Sequence, residues 1–105
     1  MDQQIKEKWV KALRSGEYKK GLGQLKNNQD ITYCCIGVLG VCNNLQLYNE
    51  NDSKSVAIQP NSFKYNYGIS ELLGLTSDEE RFLIKLNDNP YSTFEEIANH
   101  IENNL

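Results

Sequence analysis

Two helix-start signatures stand sixteen residues apart in the last third of this chain, and they constrain its fold more than anything else in it. Thr76 with Glu79 forms a capping-box pattern ahead of Phe82, Leu83 and Leu86. Ser92 with Glu95 repeats the pattern ahead of Phe94, Ile97, Ala98, Ile101 and Leu105. Between them lies Asn87-Asp88-Asn89-Pro90, and Pro90 disfavours helical geometry at Asn89. The spacing predicts two helices joined by a tight polar corner. A shorter helix, capped by Ser70 and closed by Gly74, precedes them.

The first segment reads as an amphipathic helix over Asp2 to Arg14. Ile5, Trp9 and Leu13 recur every four residues, Val10 and Ala12 widen the stripe, and Ser15-Gly16 stops it. Trp9 is the expected centre of the core. Leu22 to Lys26 and Ile31 to Cys35 flank the polar turn Asn27 to Asp30 and predict a hairpin. From Cys35 the period becomes helical, with a wide apolar face from Ile36 to Leu45. Tyr48 to Ser55 reads as a polar surface loop, and Val56 to Gln59 and Phe63 to Tyr67 as short strands about a Pro60-Asn61 turn. The expectation is an α+β fold in one domain, residues 1–105, with a variable loop or short-strand segment at 48–67. A chain of 105 residues has room for one modest core.

Charge excludes some functions. The net charge is −3, yet residues 1–26 carry seven Lys or Arg against three acids. Residues 70–105 carry eight acids against Arg81 and Lys85. A nucleic-acid binder usually shows a domain-wide basic bias, so nucleic acid is not the expected partner. The basic first quarter could still hold a small anion, although Lys6, Lys8 and Lys11 read most simply as a solvated helix face. No membrane span and no export signal are recognisable. Cys34, Cys35 and Cys42 are an odd set without CxxC spacing, which suggests reduced thiols serving as small apolar filler. Vicinal cysteines on a strand would alternate faces, so no structural metal is expected.

Catalytic signatures are missing. Gly21-Leu22-Gly23 lacks the third glycine and the Lys-Ser/Thr pair of a phosphate-binding fingerprint. Its bland reading is an eased entry to the hairpin; its functional one is an anion nest beside Lys19 and Lys20. His100, the one histidine, pairs most simply with Glu96 across one helical turn. Glu79-Glu80 and Glu95-Glu96 complement helix dipoles. What remains suggests a nucleotide pocket without a catalytic set, metal or cofactor. Arg14, Lys19 and Lys20 would meet phosphates, and Tyr18 or Tyr33 would stack on a base. Gln24, Asn87 and Asp88 would hydrogen-bond ribose or base, although the 87–88 corner serves equally as a plain helix stop.

Several stretches resemble a family of small phage and prophage proteins. Trp9-Val10-Lys11-Ala12-Leu13-Arg14-Ser15-Gly16-Glu17-Tyr18 matches W-x-x-A-L-R-S-G-x-Y, and Gly21 to Leu25 matches G-x-G-x-L. Cys34-Cys35-Ile36-Gly37-Val38-Leu39 is similar to C-C-L-G-V-L, while Leu86-Asn87-Asp88 and Phe94 to Ala98 match L-N-D and F-x-E-I-A. The resemblance spans the chain apart from Tyr48 to Tyr67. It departs at Lys20, where glutamine is usual, and at Gly40, where a second cysteine cluster normally ends. Ser70 to Leu75 also replaces a proline-led, tryptophan-bearing segment. The resemblance implies phage origin and action in the host cytoplasm. By analogy with other small phage proteins it implies an anti-defence sponge, an oligomer that sequesters a nucleotide immune signal such as a cyclic ADP-ribose relative. Two other classes compete. A phage inhibitor or adaptor would bind a host protein through a patch around Phe63, Tyr65 and Tyr67, and a nucleotide hydrolase would need a base, nucleophile and metal not visible here.

Overall fold

Asp2 starts the first helix, α1 (Gln3–Arg14), by accepting hydrogen bonds at its carboxylate from the amides of Gln4 at 2.8 Å and Ile5 at 3.2 Å. These are amides that the helix itself leaves unpaired. The helix stops at Ser15, and Gly16 follows at φ +79°, a left-handed conformation that glycine takes without strain. Its inner stripe of Trp9, Val10 and Leu13 is buried. The computed structural model describes residues 1–22, 26–27, 30–44, 46–50, 54–58 and 69–105.

Three short strands follow: β1 (Lys19–Lys20), β2 (Lys26–Asn27) and β3 (Thr32–Tyr33). β2 pairs antiparallel with β3, with Lys26 opposite Tyr33 and Asn27 opposite Thr32, so the predicted antiparallel pairing is present but Asn27, expected in the turn, belongs to the strand. The prediction misses the third strand. β1 lies parallel to β3, Lys19 opposite Thr32, so β3 is the centre of a three-stranded sheet. A parallel neighbour gives no local turn signal, which is why residue order alone does not reveal it.

Cys34 and Cys35 are not strand residues. Cys34 is the N-cap of α2 (Cys35–Cys42), and its sulfur accepts from the Gly37 amide at 3.4 Å. All six residues from Cys35 to Gly40 are buried, as expected for a helix apolar on every side. α2 packs against α1, α3 and α4. β4 (Gln46–Glu50) and β5 (Lys54–Ile58) form an antiparallel pair: β5 takes in most of the strand expected at Val56 to Gln59, while both strands extend into the segment expected to be a polar loop. The expected strand over 63–67 and the turn at 60–61 lie outside the described residues.

The C-terminal helices are α3 (Ile69–Leu73), α4 (Ser77–Asn87) and α5 (Phe94–Asn104). Thr76 and Glu79 form the predicted capping box at α4. The other two caps shift. Ser70 lies within α3, buried, and Thr93 caps α5 by accepting from the Glu96 amide at 3.2 Å. Ser92 is buried and donates to the Leu86 and Asn89 carbonyls at 2.6 and 2.9 Å. One cluster of buried side chains joins the elements, with Trp9, Leu39, Leu83, Ile97 and Ile101 among its wholly buried members. The architecture is α+β. Among the described residues no helix is long and apolar enough to cross a membrane.

Candidate functional site

The strand that carries Lys19 and Lys20 is held at its end by one side chain. Asn87, 0% exposed, donates from Nδ2 to the Gly21 carbonyl at 2.9 Å. Its Oδ1 accepts from the Cys35 amide at 2.9 Å, an N–H of the first turn of α2. The indole of Trp9 donates to the Cys35 carbonyl at 2.9 Å, so both ends of that residue's backbone are bound. On its other side, the Gly21 amide donates to the Tyr33 carbonyl at 2.7 Å. A Cβ on Gly21 would overlap the Thr32 hydroxyl and come within 2.7 Å of its Cβ, so only glycine allows this approach.

With the strand so placed, Lys20 reaches across to the α4–α5 corner, where its Nζ donates to the Asn89 carbonyl at 2.9 Å. Tyr18 stands edge-on to Tyr33, with ring centroids 5.2 Å apart and planes at 90°. Burial, and then the neighbouring Cys42, push the Tyr18 phenol above its ordinary pKa, so it remains a hydrogen-bond donor.

Tyr18 and Lys20 line an open groove of about 350 Å³. Arg14, Tyr18 and Lys20 form one side, Thr93 and Glu95 the other, with buried Leu13 and Phe94 beneath. The volume is at the small end of ligand sites. A larger groove of about 670 Å³ runs along α1 past Lys6, Lys11 and Glu102. It has no aromatic side chain in its lining, so the smaller groove fits an aromatic ligand better.

The predicted site residues separate into groups. Arg14, Tyr18 and Lys20 meet in the groove, and Tyr33 backs Tyr18. Arg14 is already engaged with α5: it donates to Glu102 and Asn99, each at 2.6 Å, and lies 3.5 Å from Glu95. Lys19 is exposed beside the groove. Asn87 is interior, with its amide committed to backbone, and Asp88 is the exposed C-cap of α4. Gln24 lies outside the described residues. The Asn89 carbonyl and the Thr93–Glu95 wall had no signal as site residues. A backbone acceptor has no residue type to read, and both acid and threonine had sufficient explanations as helix-start residues.

Nucleophilic chemistry is poorly served by the thiols. Burial pushes Cys34 and Cys42 up to about 11 and Cys35 well above its ordinary value, so all three are neutral near pH 7. His100 does not pair with Glu96. It stacks on Phe82 at 4.5 Å between centroids, and its Nδ1 lies 3.2 Å from the Asn104 amide nitrogen. No cluster of three metal-ligating side chains occurs among the described residues.

Residues 1–71 match the family model of a domain of unknown function, DUF8296. No curated protein and no solved structure matches the chain. The match takes in α1, the three-stranded sheet and α2, while the α5 wall of the groove lies beyond it.

Proposed function

We propose that this chain, which belongs to the DUF8296 family, is a non-catalytic binding module that sequesters a small nucleotide-derived ligand in the Arg14–Tyr18–Lys20 groove. The observation that carries the reading is Lys20, a cation placed beside Tyr18 whose partner among the described residues is a neutral carbonyl. An anion can approach that ammonium without displacing a carboxylate. The resemblance of its motifs to those of small phage proteins suggests the biological setting: a phage product that mops up a nucleotide immune signal in the host cytoplasm, as a homo-oligomer. Neutral buried thiols and a histidine stacked on Phe82 fit binding better than turnover.

Removing a signal by mass action needs tight binding, on the order of nanomolar or about −12 kcal/mol. The test is calorimetry of the purified chain against cyclic ADP-ribose, ADP-ribose and the common mono- and dinucleotides. It is joined by mass spectrometry of small molecules retained by protein from signal-producing cells. Binding with release of the ligand unchanged after heating is expected. No affinity across the panel removes the reading.

A second reading, inhibition of a host protein, draws on the exposed side chains of the C-terminal pair, where Tyr91 is 89% and Phe82 51% exposed. The patch first expected for it, Phe63, Tyr65 and Tyr67, lies outside the described residues. A stoichiometric protein partner in a host-lysate pulldown, without co-purifying nucleotide, would favour it.

A further inference from the structure

Charge bookkeeping around the groove narrows the ligand. Resting on the binding reading above, we infer that the groove takes one anionic group attached to one planar ring system, a nucleoside monophosphate and not a pyrophosphate. Three observations converge on it.

The first is how the two groove cations are used. Arg14 is bound by the Glu102 carboxylate and the Asn99 amide oxygen, both at 2.6 Å, with Glu95 at 3.5 Å from Nε. Two carboxylates offset its single charge, and most of its donors point at α5. Lys20 differs. Among the described residues its partner is the uncharged Asn89 carbonyl, and an ammonium has three donors, so further N–H groups are offered to an incoming oxygen. Within the groove this amounts to one cation for one anion.

The second observation is the wall opposite. Glu95 lines the groove on the α5 side. A second phosphate extending from the first would meet that carboxylate, and like charges at contact distance repel. The Glu95–Arg14 pair therefore discriminates against pyrophosphates.

The third is size. About 350 Å³ is close to the lower limit of small-molecule sites, and the apolar floor of Leu13 and Phe94 beside the Tyr18 ring offers space for a single base. Tyr33, set perpendicular to Tyr18, fixes that ring's orientation.

The experiment is titration calorimetry of the full chain with the four nucleoside 5′-monophosphates, their diphosphates, the parent nucleosides, and ADP-ribose. At least one monophosphate should bind ten-fold or more tighter than both its nucleoside and its diphosphate. Lys20→Met should cut monophosphate affinity at least ten-fold and leave nucleoside affinity unchanged. Glu95→Gln, at an exposed position and independent of strand β1, should raise diphosphate affinity relative to monophosphate several-fold. Tighter binding of a diphosphate or ADP-ribose than of every monophosphate overturns the inference while the groove reading stands. An unchanged monophosphate-to-diphosphate ratio in Glu95→Gln also overturns it. Failure of the wild-type chain to bind any of these probes, or any member of the wider panel, removes the groove reading and the inference together.

Discussion

Removing the Asn87 carboxamide would leave the buried Cys35 amide and the part-buried Gly21 carbonyl without their partner. A helix stop alone would cost at most about 1 kcal/mol when truncated, whereas each buried orphan costs roughly 1–3 kcal/mol. Asn87→Ala should therefore lose about 2–4 kcal/mol in urea denaturation. Ligand affinity should fall with it, since Gly21 adjoins Lys20. Asp88→Ala, at an exposed cap, should cost well under half as much. Equal losses in the two variants would show that the corner only terminates α4. Ile31 presents the opposite case. It is a β-branched residue at φ +53°, 62% exposed, so its left-handed backbone gains little from side-chain burial. Ile31→Asn should stabilise the fold by about 1 kcal/mol, read as a higher denaturation midpoint. An unchanged or lower midpoint would mean that the isoleucine has compensating contacts.

At the scale of elements, periodicity made the helices legible and local turn chemistry did not fully define their ends. Ile5, Trp9 and Leu13 predicted α1 to within a residue, because a stripe that must be buried repeats visibly. The start of α5 was misplaced by one residue, since Ser92 and Thr93 are both good caps and only geometry selects between them. Thr93→Ala should cost about 1 kcal/mol as a cap, read by thermal unfolding. Ser92→Ala should cost at least as much, because its hydroxyl is buried against two carbonyls that would lose their donor. A neutral Ser92→Ala would contradict that arrangement. The parallel β1–β3 pair was illegible because a parallel neighbour, unlike the antiparallel β2, carries no local turn signal. The same reason hid the groove. Arg14, Tyr18 and Lys20 are near in sequence, but the Thr93–Glu95 wall meets them only after α1 packs on α5.

Over the whole molecule, alkaline pH reports how tightly the cysteine helix is enclosed. Cys34 is held as a neutral thiol, pushed from an ordinary 9.0 to about 11 by burial. The folded state retains its proton where the unfolded state has lost it, so stability falls as pH rises from about 9 to 11 and is unaffected below that window. The loss from this one thiol is on the order of 2–3 kcal/mol. Cys34→Ser, which keeps a capping side chain but does not ionise there, should flatten the decline in urea midpoint between pH 8.5 and 10.5. Enclosure also links the family-matched region to the rest of the chain. Residues 1–71 contain α1 and α2, yet Leu75, Leu83, Phe94, Ile97, Ala98 and Ile101 supply six of the fifteen buried apolar side chains described. At roughly 1.5–3 kcal/mol each, their removal takes away on the order of 10 kcal/mol, comparable with the stability of an entire small domain. Trp9, 0% exposed, would lose the α5 face against which its helix packs. A chain cut after residue 71 should thus show no cooperative unfolding transition, red-shifted tryptophan emission and no groove binding, even though α1 and α2 are intact in sequence. A sharp denaturation curve for residues 1–71, with blue-shifted Trp9 emission, would instead establish that the matched region folds alone and that the α4–α5 pair is an addition to it.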